Sequence, residues 1–374
     1  MNIPFFDLSR QYRSIKKEIK TEIAGVCDSG RYILGENVSA LESEVAAYSG
    51  ASFGVGVASG TDALFLSLMA AGVGRGDKVL TTPFTFVATV SVIEKLGAMP
   101  VFVDIDARTF NIDPNAVESY LKKSSKGVKA MVPVHLFGQC ADMGPLLKIA
   151  RKYGIKVIED AAQAIGAGYG NKKAGAMGDF GCFSFYPTKN LGGMGDGGMV
   201  TTNSKRAAAL LMKLRGYGAS GRYLYDAIGV NSRLDEIQAA VLRVKLRYLD
   251  KWADERVKNA SIYTGLIKKA GLEEAVSLPL IIPPCTSVYN QFVLRAGKRN
   301  ALRSFLADDG IGTEVYYPLP MHLQKCFKYL GYKRGDFPCS EEAAKTVMAL
   351  PIFQGLKRGE LTYIVSSIKR FYKG

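Results

Sequence analysis

Between about residues 54 and 202 the chain alternates short apolar runs with longer stretches in which apolar positions recur every three or four residues. The runs Val55–Ala58, Lys78–Thr81, Met99–Val103, Lys129–Val134, Lys156–Glu159, Cys182–Phe185 and Met199–Thr202 have the length and composition of buried strands. The periodic stretches Asp62–Ala71, Thr85–Leu96, Asn115–Leu121 and Met143–Tyr153 predict helices. Together they predict an α/β layer, a mainly parallel seven-stranded sheet flanked by helices, with ligands bound at the strand ends.

Further along, Leu234, Ile237, Val241, Val244 and Tyr248 keep helical spacing and predict one helix over Leu234–Asp250. Ser232-Arg233-Leu234-Asp235 before it reads as a capping box. Beyond Trp252 come a basic helix, a proline-rich stretch from Pro279 to Pro284, a strand near Gln291–Leu294 and further helical runs. At 374 residues the chain exceeds what one hydrophobic core supports. The expected division is a large domain over residues 1–250, including the N-terminal segment, and a smaller α+β domain over residues 251–374.

An apolar share of 48% and a charged share of 22% are those of a soluble globular protein and exclude disorder. The net charge of +15 invites a nucleic-acid or membrane-surface reading. The basic clusters are short, however, and no arginine-rich tail, zinc-finger spacing or aromatic ribonucleoprotein box accompanies them. The charge therefore points to small phosphate-bearing anions, with no nucleic acid and no membrane as partners. The cysteines at 27, 140, 182, 285, 326 and 339 form no C-x-x-C pair, the first residues lack a basic region followed by an apolar stretch, and no apolar run reaches about 18 residues. No disulfide framework, zinc site, secretory signal or membrane span is expected, and a cytoplasmic location follows.

Only two histidines, His135 and His322, are present, and no G-x-S-x-G elbow accompanies them. Gly193-Met194-Gly195-Asp196-Gly197-Gly198 fits a dinucleotide fingerprint in letters, yet it leads into a strand and reads as a turn. Ser59-Gly60-Thr61-Asp62 is a better phosphate candidate, because it joins a strand to an apolar helix whose first N–H groups are free. Taken alone it could be a plain helix cap. Asp160 ends one apolar strand, and Lys189 follows another in Ser184-Phe185-Tyr186-Pro187-Thr188-Lys189-Asn190-Leu191-Gly192. Singly, these are a strand-end acid and a surface lysine. Jointly they supply what pyridoxal phosphate (PLP) chemistry requires, an imine-forming amine and a carboxylate for the pyridine nitrogen. Ser184 can donate to a phosphate, and Phe86 can stack on a ring.

With these residues in view, the chain resembles the DegT/DnrJ/StrS family of PLP-dependent nucleotide-sugar aminotransferases, which have the aspartate aminotransferase-like fold. The resemblance runs through Tyr32–Gly35, Ser59–Leu64, Thr82–Thr89, Glu159–Ala164, the lysine segment, Asn231–Ala240 and Tyr317–Gln324. It implies that Lys189 binds the cofactor and acts as base, and that Asp160 pairs with the ring nitrogen. It further implies Gln163 at the phenolic oxygen, Phe86 on the ring, and Gly60, Thr61 and Ser184 at the phosphate. Asn231 would reach the phosphate of a neighbouring subunit, which implies a homodimer with shared sites. L-glutamate and a nucleotide-linked ketosugar are the implied substrates, with Tyr186, Tyr317 and His322 expected to contact the sugar, or alternatively to pack a loop. No metal is expected. Lysine where some members carry histidine favours transamination over dehydration. Tyr186 and Gly195-Asp196-Gly197-Gly198 look like the 3-keto branch, the alternatives being a 4-keto sugar, a keto-cyclitol, or a PLP- or sugar-sensing regulator.

Overall fold

The computed structural model describes residues 1–374. Its central sheet is built from β1 (Phe53–Val57), β2 (Lys78–Thr81), β3 (Met99–Phe102), β4 (Val128–Met131), β5 (Lys156–Asp160), β6 (Phe180–Ser184) and β7 (Gly198–Thr202), in the order β1-β7-β6-β5-β4-β2-β3. The pairs β2/β3, β2/β4, β4/β5 and β5/β6 are parallel. The exception is β7, antiparallel to both β1 and β6, because the glycine-rich connection from β6 returns the chain without a crossover helix.

The helices of this unit are α1 (Leu8–Ser29), α2 (Glu36–Ser49), α3 (Gly60–Ala70), α4 (Val87–Lys95), α5 (Pro114–Ser124), α6 (Met143–Tyr153), α7 (Lys205–Leu214) and α8 (Glu236–Leu246). Successive strand residues point to opposite faces. Thus Leu80, Met131, Val157, Phe183 and Met199 pack with α2, α5, α6 and α8, whereas Val79, Ala130, Ile158, Cys182 and Val200 pack with α3, α4 and α7. Both faces are covered, which is why the strands read as continuous apolar runs.

The predicted helix over Leu234–Asp250 is two helices, α8 and then α9 (Leu249–Lys269). The chain turns at Tyr248, whose ring stacks on Trp252 at 5.7 Å and whose hydroxyl donates to Glu18 on α1 at 2.6 Å. The capping box is also absent. Asp235 precedes α8 without a side-chain cap, and Ser232 is engaged with Asp62 and Ala58.

Beyond α9, β8 (Val276–Ser277), β9 (Phe292–Ala296) and β10 (Val347–Leu350) form an antiparallel sheet packed with α10 (Arg299–Asp308), α11 (Pro338–Thr346) and α12 (Arg358–Lys373). Its core contains Tyr263, Phe292, Leu294, Leu302, Met348 and Ile364. Ile3 is buried in the same core, and its N–H and C=O bond to Gly310 and Gly312 at 2.8 and 2.9 Å. Ile3 thus joins the core of the C-terminal unit, through apolar burial and strand-like pairing, while Phe5 packs in a cluster that also holds Phe84, Phe110 and Val134. Within α9, Leu249 and Trp252 pack in the large unit while Tyr263 and Ile267 pack in the small one, so the helix spans the expected boundary.

Candidate active site

Parallel pairing of β5 with β6 brings Asp160 and the segment carrying Lys189 to the same sheet edge, with Asp160 opposite Cys182. Asp160 is 6% exposed. Its Oδ2 accepts from the Thr89 hydroxyl at 2.8 Å and its Oδ1 from the Ala162 N–H at 3.2 Å. Burial pushes its pKa above the usual carboxylate value, opposed by the bonds from Thr89 and Ala162 and then by the charges of Lys189 and His135.

Lys189 sits in a tight loop after β6, where its N–H donates to the Tyr186 carbonyl at 2.9 Å and the Gly193 N–H donates to the Phe185 carbonyl at 2.7 Å. A Cβ at Gly192 would lie 2.2 Å from the Pro187 oxygen, so only glycine closes this turn. Burial lowers the Lys189 amine to about 8, while the charge of Asp160 acts in the opposite direction. The two groups therefore share one electrostatic environment. The G-x-G-x-x-G match is a turn, as read: Gly193 and Gly195 wrap Gln238, which accepts from the Met194 N–H at 2.8 Å.

The start of α3 meets β6 because Val57 and Ser184 both pair with Gly198 of β7. A Cβ on Gly60 would come 2.6 Å from Ser184 Cβ. The Ser59 hydroxyl caps the Asp62 N–H at 3.1 Å, and the Ser59 carbonyl takes the Ala63 N–H at 3.0 Å. Gly60 and Thr61 are then left with N–H groups that have no intrahelical acceptor, beside the Ser184 hydroxyl. Ser232 locks this corner, donating to Asp62 at 2.8 Å and accepting from the Ala58 N–H at 3.1 Å.

Gln163 is 8% exposed. Its Oε1 accepts from the Phe137 N–H at 2.7 Å, which fixes the amide so that Nε2 donates to the Tyr317 hydroxyl at 3.3 Å. Phe137 reaches this position with φ of 59°. The exposed Phe86 ring lies 6.3 Å from the Tyr317 ring. Gln163, Phe86 and Tyr317 are thus joined by contacts, as are Gly60 and Ser184, while Asp160 and Lys189 act on each other's charge.

Tyr186 is exposed, and its carbonyl accepts from the Lys189 N–H. Asn231 is exposed and bridges Gly216 through its backbone. His322 is enclosed by packing. It is 2% exposed, sits 3.1 Å from Glu341, and packs edge-on to Phe337 at 4.8 Å within a cluster that includes Met321 and Phe327.

Several residues escaped the sequence reading. Glu159 is fully buried and accepts from the N–H groups of Gly175, Met177 and Gly178 at 2.8, 2.7 and 2.6 Å. His135 Nδ1 accepts from the Ala141 N–H at 3.1 Å, so Nε2 is the nitrogen that donates to Glu159 at 2.8 Å. His135 is therefore structural, and its own N–H holds the Asp160 carbonyl at 2.9 Å. Lys245 is a second buried amine, lowered to about 8 by burial, but it is tied to the Gly192 carbonyl at 2.6 Å.

The chain matches known proteins along nearly its whole length. The model of the DegT/DnrJ/EryC1/StrS aminotransferase family matches residues 13–369. A "Pleiotropic regulatory protein" of Geobacillus stearothermophilus is 48% identical, over 100% of this chain and 99% of the relative. A UDP-N-acetyl-3-dehydro-alpha-D-glucosamine 3-aminotransferase of Acidithiobacillus ferrooxidans is 40% identical, over 100% of this chain and 98% of the relative. The solved structure of S. venezuelae DesV in complex with a ketimine intermediate superposes with a TM-score of 0.96 at 39% identity, covering 100% of this chain and 99% of that one. Other structural neighbours were solved in PLP or pyridoxamine phosphate forms.

Proposed function

From the premise that this chain belongs to the DegT/DnrJ/EryC1/StrS aminotransferase family, we propose that its Lys189–Asp160 site moves an amino group from L-glutamate to a nucleotide-linked 3-keto sugar. The chain is a PLP-dependent sugar aminotransferase. The observation that carries the site assignment is a buried acid that shares its field with a lysine lowered to about 8, beside a cradle that admits only glycine at position 60.

The residues present fit the cofactor. Gly60, Thr61 and Ser184 would hold its phosphate, Phe86 would cover its ring, Gln163 would serve its phenolic oxygen, and Asp160 its ring nitrogen. When bound, PLP supplies a carbonyl that condenses with amines and a ring that disperses the charge left by a departing proton. Asp160 presents negative charge to the ring nitrogen and favours its protonated form. Lys189 retains the cofactor between turnovers. Once displaced, its amine, neutral at mildly alkaline pH, takes the proton from the substrate carbon bearing nitrogen and returns one in the opposite half-reaction.

One site serves donor and acceptor in turn, so ping-pong kinetics follow. The net positive charge suits a pyrophosphate-bearing sugar. Tyr186 and Tyr317 would contact the sugar. Exposed Tyr217, Tyr223, Tyr225 and Ile228 lie close in sequence to exposed Asn231, which supports a homodimer in which Asn231 reaches the partner's phosphate.

The 3-keto assignment draws support from the Acidithiobacillus relative's name, Tyr186 and Gly195-Asp196-Gly197-Gly198. The name of the Geobacillus relative favours a second reading, a PLP- or sugar-sensing regulator. Against it, this chain keeps every group that amino transfer needs. The test is incubation with glutamate and a panel of 3-keto and 4-keto nucleotide sugars, with products identified by mass and NMR. An aminated 3-keto sugar is expected. Amination of 4-keto sugars alone would overturn the position, and DNA binding without any glutamate-induced change in the cofactor's spectrum would favour the regulator.

A further inference from the structure

Asp160 has a partner of its own. Thr85 lies just before the Phe86 cap of α4, and Thr89 lies in the first turn of that helix. Their hydroxyl oxygens are 2.8 Å apart, and Thr89 Oγ1 is 2.8 Å from Asp160 Oδ2. Thr85 is 1% exposed and Thr89 is fully buried. An ionised carboxylate offers only lone pairs, so Thr89 directs its single hydroxyl proton to Asp160 and accepts from Thr85. The pair thereby forms a one-way chain that ends on the acid.

Resting on the site assignment above, we propose that Thr89, oriented by Thr85, is a positioning residue that keeps Asp160 ionised and aimed at the cofactor's ring nitrogen. Burial opposes that ionisation, and the Thr89 bond is the foremost influence counteracting it. The other ionisable groups facing Asp160 are Lys189, His135, Cys182 and Tyr317. Burial holds the Cys182 thiol and the Tyr317 phenol in their neutral forms. His135 is tied on both ring nitrogens, to the Ala141 N–H and to Glu159, so neither is directed at Asp160. The Lys189 amine is committed to the cofactor, so it is not a lasting counter-charge for the acid. A hydroxyl that does not titrate can serve in every stage of turnover. Thr89 also follows Phe86 by three residues, so one turn of α4 would carry both the residue covering the ring and the residue holding the acid.

The test compares Thr89→Val, Thr89→Ser and Thr85→Val with the wild type, each loaded with PLP labelled with 15N in its ring. Thr89→Val is expected to shift the 15N resonance toward that of unprotonated pyridine and to speed cofactor release about tenfold or more, the worth of a hydrogen bond to a charged group. Thr89→Ser should restore both readouts to within about threefold of wild type, since the hydroxyl is kept. Thr85→Val should move the resonance less, in the same direction, and it alone carries the test if Thr89→Val does not fold. An unchanged resonance in the folded valine variants, or equal losses in the serine and valine variants at position 89, would overturn the proposal. A wild type that takes up no PLP would overturn the site assignment itself, and this proposal with it.

Discussion

Gln163 donates to the hydroxyl of Tyr317 across 3.3 Å, so a residue just beyond β5 and a residue of the C-terminal unit share a hydrogen bond. Tyr317→Phe removes the acceptor and leaves the ring packed 6.0 Å from Phe84 and 6.3 Å from Phe86. The expected loss of stability is about 1 kcal/mol or less, and the expected fall in kcat/KM for the sugar is about two- to tenfold. Denaturant unfolding and steady-state kinetics measure the two. An unaltered kcat/KM would mean that this contact does not serve the site.

Lys189→Ala removes the base without removing structure. Turnover should fall by at least about 10²- to 10⁴-fold, the usual worth of a placed acid–base group. Stability should hold or rise. The native amine sits near 8, against about 10.4 for a free lysine. Below about 8 the native state carries a charge that burial disfavours, and the alanine variant is relieved of it. Equilibrium unfolding at neutral pH checks this second claim, and undiminished turnover would show that the base lies elsewhere.

The same shift sets a pH dependence. Only the neutral amine attacks an aldehyde, and its fraction grows about tenfold per pH unit below the pKa and then levels. Capture of added PLP by the cofactor-free protein should therefore accelerate as pH rises toward about 8 and flatten above it. Stopped-flow absorbance gives the profile. A rate still climbing near pH 10 would indicate an amine that burial has not lowered.

Glu159→Gln addresses the support behind the acid. The carboxylate accepts from three backbone N–H groups and from His135 Nε2. An amide would turn its own N–H groups against at least one of these donors and leave it unpaired, at about 1–3 kcal/mol for each such group. The thermal midpoint should drop by several degrees. An unchanged midpoint would mean that the cluster relaxes without cost.

Most of the fold was legible because burial on both faces writes each central strand as a short apolar run. Lys78–Thr81 matches the observed strand at both ends, and Met143–Tyr153 matches its helix in full. Asp160 and Lys189 were legible because a strand-end acid and a lysine between hydroxyl and glycine residues form a recognisable pair. The failures have a common cause in long-range contacts. Ile3 falls with the large domain by position until its pairing with Gly310 and Gly312 is seen. Ser232 looks like a cap until Asp62, distant in sequence, claims its hydroxyl. His322 sits in a segment that reads as ligand-facing, yet Phe337 and Glu341 enclose it. Thr89 lay within a segment already singled out, but nothing local shows that its hydroxyl meets Asp160.

The most direct measurement is borohydride reduction of the PLP-loaded protein, followed by digestion and mass mapping of the labelled lysine. Two amines are lowered to about 8, Lys189 and Lys245, so the outcome is not set by reactivity alone. The expected label is on the peptide containing Lys189, and it should vanish when the amino donor is added before reduction. A label on Lys245, or on Lys189 but indifferent to the donor, would contradict the assignment of this site to amino transfer.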